Sequence, residues 1–257
     1  RLIKKDGYKV SVSGTGADEL FSGYYDHYLY FLADLCLSGD FVNFEKEKKL
    51  WQKKILPFTR NEALKSVSGF LLNLNKRDYI FDNKILVNKY LKESSSKKLF
   101  DYMYCGGNLR NRMANELFHE SVPPILYMDD SNSMYSSIEN RSPFLDFDLY
   151  KWSLKIPSKF LIRSGLAKSI LRDAVSEIAD PKVCNNPRKV GFNVPIDDLI
   201  KNDKIKIIKD IKASQISEII NLVQFESLLN KNSKTNQESK FIFSIISLFA
   251  FLNEYST

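Results

Sequence analysis

The sequence predicts a mainly helical fold that begins on one strand. Three observations carry this. The 257 residues include only 10 glycines, too few for a turn-dense all-β fold. Apolar residues recur at three- and four-residue spacing over most of the chain from Ala17 onward. The one detectable strand is the β-branched run at Val10–Val12. A single domain over 1–257 is expected, with a strand-turn-helix start at 1–24 and a helical remainder at 25–257.

Each element has local grounds. Residues 1–7 read as the tail of a helix with a glycine stop. After Val10–Val12, Gly14 and Gly16 bracket Thr15 and permit a tight turn with exposed backbone. Residues 17–37 read as one helix, closed by Ser38-Gly39. Asp18 and Glu19 occupy its first turn, where carboxylates suit the helix dipole. Residues 40–65 place Phe41, Phe44, Leu50, Trp51 and Ile55 on one helical face until Pro57 intervenes. A helix over 66–74, a turn at 75–78 and a serine-rich loop at 92–98 follow.

Residues 99–118 read as a helix kinked at Gly106-Gly107, and Pro123-Pro124 separates it from a helix over 125–137. A turn at 142–146 precedes helices over 147–156 and 166–178, then a loop at 185–189. The last quarter carries helical patterns from 197 or 198 and near 204–211, 214–229 and 238–253. A lone strand is unstable by itself. It is therefore either the edge of a parallel sheet whose other strands precede residue 1, or it pairs with something else.

Composition narrows the function classes. With 44% hydrophobic and 27% charged residues the chain fits a soluble globular class. The apolar run 241–252 is too short to span a bilayer, so no membrane insertion is expected. A net charge of +7 admits anionic partners such as nucleotides or sugar nucleotides. The lysines are spread over helix faces, and zinc spacing, basic zippers and aromatic RNA-binding motifs are absent, so nucleic acid is not an expected partner. Cys36, Cys105 and Cys184 are odd in number and far apart, which suggests reduced thiols in a cytoplasmic protein. They form no metal site with His27 or His119 at a familiar spacing.

The chemistry is expected around residues 13–24. A strand, a glycine turn and a helix aim backbone N–H groups at an anion, and an acid beside them can hold Mg²⁺ for the same phosphate. The string Ser13-Gly14-Thr15-Gly16-Ala17-Asp18-Glu19-Leu20-Phe21-Ser22-Gly23-Tyr24 resembles the S-G-E-G-S-D-E-L-F-G-G-Y motif of asparagine synthetases. Further stretches match that family in order. Asp130-Ser131-Asn132-Ser133-Met134 and the run from Ser137 to Asp146 resemble D-R-x-S-M…S-x-E-x-R-x-P-F-L-D. Lys168 to Arg172 resembles K-x-x-L-R, and Lys189 to Pro195 resembles K-x-G-F-x-x-P.

The resemblance implies the C-terminal helical part of an α/β ATP-pyrophosphatase domain. The activity it implies is ATP-dependent: a carboxylate becomes an acyl-adenylate, pyrophosphate leaves, and ammonia from a glutaminase domain attacks to form an amide. On that reading ATP and Mg²⁺ are the cofactors. Ser13, Gly14, Thr15 and Gly16 lie along the nucleotide, Asp18 is the metal ligand, and Lys168 steadies phosphate charge in the transition state. Glu139 and Arg141 are read as architectural, and the basic loop after Arg188 as lying near pyrophosphate.

Three departures qualify the match. Thr15 stands where the family carries a catalytic glutamate, and a threonine is no general base near neutral pH. Either another carboxylate substitutes, with Glu116 the candidate and Glu120 and His119 behind it, or the pocket serves a different acceptor. Ser131 replaces an arginine. The S-G-G-x-D-S loop and the nucleophilic N-terminal cysteine of the family are not among these residues, so the chain is expected to be a fragment of the synthetase domain that binds ATP poorly alone. The acceptor is aspartate or, by resemblance to the branch found in bacterial surface-polysaccharide clusters, a sugar uronic acid. The rival reading is a non-catalytic helical module. Apolar surface left by absent strands would drive association, so a homodimer is among the expected partners.

Overall fold

The computed structural model describes residues 2–74, 88–93, 101–189 and 195–255. The fold is mainly α. The chain divides into two compact units, one of Arg1–Leu74 with Phe100–Lys189 and one of Asn75–Leu99 with Val190–Thr257.

In the first unit, helix α1 (Leu2–Lys5) ends at Gly7, whose φ of 84° is the left-handed glycine stop. Strand β1 (Val10–Val12) then pairs in parallel with β2 (Glu139–Arg141), Ser11 opposite Asn140. This answers the question left by the sequence: among the described residues the partner of the first strand lies inside the chain. Both strands run outward-inward-outward in exposure. Helices α2 (Ala17–Phe21), α3 (Tyr25–Leu37) and α4 (Phe41–Lys54) follow, with a shorter α5 (Val67–Leu71). Tyr28, Leu29, Leu32 and Ala33 bury one side of α3, and Trp51 closes the core from α4.

After the second strip of chain enters come α6 (Asn108–Asn115), a π turn at Glu116–Glu120 and α7 (Val122–Met134). Asp34 of α3 accepts from the backbone N–H groups of Asn108 and Leu109, at 2.8 and 3.0 Å, and so caps α6. Helices α8 (Phe147–Leu154) and α9 (Ser158–Leu161) lead into a hairpin of β3 (Ile162–Arg163) and β4 (Leu166–Ala167), then α10 (Ser169–Ala174) and α11 (Pro181–Cys184). The hairpin loop Ser164-Gly165 has φ of 56° and 79°, the two positive values that match the twist of paired strands.

The second unit contains α12 (Ile196–Ile200), α13 (Lys204–Lys212), α14 (Ile216–Ile219), α15 (Leu222–Asn230) and α16 (Asn236–Tyr255). Ile211, Ile216, Ile220, Phe225, Leu229 and Ile242 form its core. Among the described residues no helix is long and apolar enough to cross a membrane.

Four expected elements are corrected. The helix over 17–37 is two helices, broken at Ser22–Tyr24. The helix over 99–118 begins only at Asn108, since Gly107 is its extended N-terminal boundary and not a kink. The helix over 166–178 starts at Ser169, its first residues being spent on the hairpin. The pattern at 214–229 is two helices, because Ile220 is extended and Asn221 starts a new cap. The turn at 75–78 and residues 94–98 of the expected loop lie outside the described residues.

Candidate active site

The turn after β1 is clamped to the segment after β2. Ser13 N–H donates to the carbonyl of Arg141 at 2.8 Å, and its hydroxyl lies 2.9 Å from that of Ser142. The Ser13 hydroxyl also donates to Thr15 Oγ1 at 3.1 Å. Where the resemblance implied a carboxylate, Thr15 thus puts a hydroxyl within a Ser13–Thr15–Ser142 cluster. Gly16 has φ of 94°, and a methyl group there would fall 2.4 Å from Cδ2 of Leu145. The Pro143–Leu145 turn and the glycine turn are therefore fitted to each other. Gly14 has open space where a Cβ would go. Gly14 is exposed, Ser13 and Thr15 are half-buried and Gly16 is buried, and the turn leads directly into α2.

Asp18, in the first turn of α2, faces the break that follows the same helix. Ser22 adopts φ 68°, ψ 168°, and Gly23 brings bare backbone against the Asp18 carboxylate. A Cβ on Gly23 would lie 1.6 Å from Oδ1 of Asp18 and 2.9 Å from Cε of Lys168. The break is the reason the carboxylate has room. A regular helix through residues 22–24 would fill that space.

Two lysines meet Asp18. Lys168 Nζ lies 2.7 Å from Oδ1 and Lys189 Nζ 2.5 Å from Oδ2. The Lys168 ammonium is within hydrogen-bonding reach of Oδ1, which is otherwise packed against the bare backbone of Gly23. Burial alone would push the Asp18 carboxyl up; the Lys168 and Lys189 ammonium groups outweigh it and hold it below the ordinary carboxylate range.

Lys168 is placed by the hairpin. Glu47 of α4 accepts from the N–H groups of Ser164 and Gly165, at 3.3 and 3.4 Å, and from Tyr28 Oη at 2.5 Å. β4 then delivers Lys168 in the left-handed conformation, φ 58°, ψ 29°. Its N–H donates to Ser22 Oγ at 3.2 Å. Two non-glycine residues of positive φ are thus bonded to each other beside the carboxylate, and strain of this kind gathers where a site needs it. Arg172 donates to the carbonyls of Ala167 at 2.7 Å and Cys184 at 2.6 Å, tying the hairpin exit to the segment that carries Lys189. Lys189 Nζ also lies 5.3 Å from the centre of the Tyr24 ring, whose hydroxyl donates to Glu19 at 2.6 Å. Burial and Glu19 push that phenol well above the ordinary tyrosine range.

Glu116 lies one layer behind this cleft. It is buried in the π turn, accepting from His27 Nε2 at 2.6 Å and from Arg112 Nε at 3.0 Å. Burial pushes its carboxyl upward, opposed by His27 and Arg112. Arg112 also binds Glu120 and lies 3.5 Å from Asp101 and 3.9 Å from Asp26. His119 turns outward, stacked on Tyr102 with ring centres 4.1 Å apart and bonded to the Tyr104 hydroxyl. Glu116 touches the cleft through His27, whose Nδ1 accepts the Gly23 N–H at 3.2 Å. Glu139 and Arg141 pair with each other at the surface, 2.8 Å apart, while their backbone carries β2.

The sequence pointed to Asp18 and Lys168, and the fold brings them together. It gave less warning of Lys189, which closes the other side of Asp18, carried Tyr24 and Ser142 only as parts of their motifs, and assigned His27 no role. A serine-glycine pair inside an apolar helix pattern is the signal for the break that precedes Tyr24 and His27. Residues 190–194 of the basic loop lie outside the described residues.

A glycine turn and a cation-rich cleft around one acidic residue define a class of anion-handling sites on strand-turn-helix scaffolds. The comparisons narrow that class. The family model for asparagine synthase matches residues 1–253, so the chain belongs to the asparagine synthase family. It is 28% identical over 221 residues to "Asparagine synthetase [glutamine-hydrolyzing] 1" of Bacillus subtilis (strain 168), covering 79% of this chain. The chain spans 33% of that relative's length. No solved structure matches it significantly.

Proposed function

We propose that this chain carries the phosphate-handling part of an ATP-dependent amide-forming ligase. ATP and a carboxylate give an acyl-adenylate and pyrophosphate. Ammonia then displaces AMP and leaves an amide. The observation that supports this reading best is the meeting of Lys168 and Lys189 on Asp18, one helical turn from the glycine turn.

In this reading the Ser13–Gly16 backbone lies along the AMP moiety. Lys168 and Lys189 bind departing pyrophosphate oxygens and stabilise the charge that develops as the phosphorus–oxygen bond breaks. Asp18 is the residue that would hold Mg²⁺: it is an ionised carboxylate, 13% exposed, in the first turn after the glycine turn. Bound there, Mg²⁺ would neutralise phosphate charge, and Asp18 would exchange lysine partners for the metal. Glu116, the carboxylate considered as a substitute at Thr15, is buried and held by His27 and Arg112, so it acts on the cleft only as a positioning group through His27. The nucleophile is ammonia drawn from glutamine by a glutaminase domain. A homodimer and a cytoplasmic location complete the reading.

Thr15 favours an acceptor other than aspartate, because the hydroxyl cluster replaces a negative charge beside the turn. A sugar uronic acid is the acceptor we carry forward. The test is pyrophosphate release from ATP and Mg²⁺ by the full-length gene product, with ammonium as nitrogen source and either aspartate or a nucleotide-linked hexuronic acid as acceptor. Release that depends on the uronic acid supports this assignment, and release that depends on aspartate keeps the ligase but reverses the acceptor. Release with neither acceptor overturns the ligase in favour of a non-catalytic module.

A further inference from the structure

The helix break at Ser22–Tyr24 leaves the Gly23 N–H pointing away from any helical carbonyl. A buried N–H must find an acceptor. It finds Nδ1 of His27, four residues ahead. His27 is fully buried, and its other nitrogen is committed to Glu116. Glu116 is in turn fixed by Arg112. The Tyr24 ring stands edge-on to the imidazole with centres 5.1 Å apart. That same ring faces Lys189, so the Tyr24 ring stands between the imidazole and the Lys189 side of the cleft.

This pattern also assigns the ring's protons. Nδ1 accepts, so Nε2 carries the hydrogen given to Glu116. Arg112, Glu116 and His27 form a directed chain that ends on a backbone N–H, and that backbone is the wall Asp18 rests against.

We infer that His27 is a positioning residue for the Asp18 cleft: its Nδ1 holds Gly23 in place and so fixes the carboxylate between Lys168 and Lys189. The inference rests on the ligase reading for its consequence, but the hydrogen bond itself can be read without it. Loss of the bond frees the 22–24 segment, and Asp18 loses its wall.

Two substitutions separate this role from simple filling of the core. His27→Asn puts an amide oxygen where Nδ1 stands, keeping the acceptor and giving up Glu116. His27→Gln reaches Glu116 with an amide N–H but offers Gly23 nothing. Binding of pyrophosphate with Mg²⁺ is measured by calorimetry on each, with thermal melting to confirm the fold. The expected result is an affinity within about threefold of the parent for Asn and about tenfold weaker for Gln, the size of one lost hydrogen bond. Equal losses, or a larger loss in Asn, overturn the inference.

A second measurement does not depend on ligand binding. Nitrogen-15 spectra of the imidazole are expected to show Nε2 protonated and Nδ1 bare, with the Gly23 amide proton shifted upfield in the Gln variant only. An Nδ1–H tautomer, or a Gly23 shift in both variants, overturns the inference even where pyrophosphate binds. If the full-length gene product binds no pyrophosphate while these spectra hold, it is the ligase reading that fails.

Discussion

Lys168 sets its ammonium 2.7 Å from Oδ1 of Asp18, although one residue follows a hairpin and the other follows the first strand. With Lys189 on the other oxygen, the carboxylate is ionised below its ordinary value of 3.8. The folded state thus binds this proton more weakly than the unfolded chain. The stabilisation is fully present above the unfolded value and is lost as pH falls through the lower folded one. Asp18→Asn is expected to cost about 1–2 kcal/mol, less than a fully buried pair because both lysines are partly exposed. In urea titrations the gap between parent and variant should be constant above about pH 5 and shrink below about pH 4. A gap that widens on acidification would contradict the pairing.

Gly23 and Gly14 make a controlled comparison. A methyl group on Gly23 overlaps Asp18 and reaches Lys168, whereas one on Gly14 meets open space. Gly23→Ala is expected to lose about 1–3 kcal/mol of stability by overpacking and to displace the Asp18 carboxylate. Gly14→Ala should melt within a degree or two of the parent, since a surface change away from contacts alters stability by less than about 0.5 kcal/mol. Loss of pyrophosphate binding by Gly14→Ala with an unchanged melt would instead place the ligand directly on that backbone.

The sequence made some of this legible and hid the rest for identifiable reasons. Asp18 and Lys168 stand in strings with fixed glycines and an Arg172 that braces the hairpin, so residue types alone carried them. The break at Ser22–Tyr24 was hidden because apolar residues continue in phase on both sides of it, and periodicity reports the face and not the continuity. β2 was hidden because Glu139, Asn140 and Arg141 have no hydrophobic alternation; β1 selects them by register and by the Ser11 bond to Asn140. β3 and β4 are two residues each, too short for any period, and only Ser164-Gly165 signals their turn. The buried His27–Glu116–Arg112 chain is polar, and hydrophobic patterning is silent about which polar groups enter a core.

Gly16 and Leu145 test the fit between two motifs far apart in the chain. Gly16→Ala suffers both the positive φ and the Leu145 side chain, 2.4 Å from the added carbon. Leu145→Ala alone should cost only modestly, because Leu145 is not fully buried. In the double variant the steric part is relieved, but the strain of a left-handed alanine, about 1–2 kcal/mol, remains. Denaturation is therefore expected to show a favourable coupling between the two substitutions with incomplete recovery. Additive losses would mean the two turns do not touch.

Glu116 and Glu120 share the Arg112 guanidinium, with Asp26 and Asp101 within 4 Å of it. Its charge offsets several carboxylates in a place where water gives little screening. Arg112→Met keeps the volume and removes the charge, which leaves the buried Glu116 beside His27 with one oxygen unpartnered and its carboxyl pushed further up. Breaking a buried pair in this way costs about 3–5 kcal/mol. Adding Glu116→Gln should recover part of that loss, since the amide no longer brings an unmatched negative charge into the core. Equilibrium urea unfolding of the two variants reads the difference directly. A loss under about 1 kcal/mol for Arg112→Met would mean that the carboxylates are solvated and that the chain from Arg112 through His27 to Gly23 does not hold the cleft.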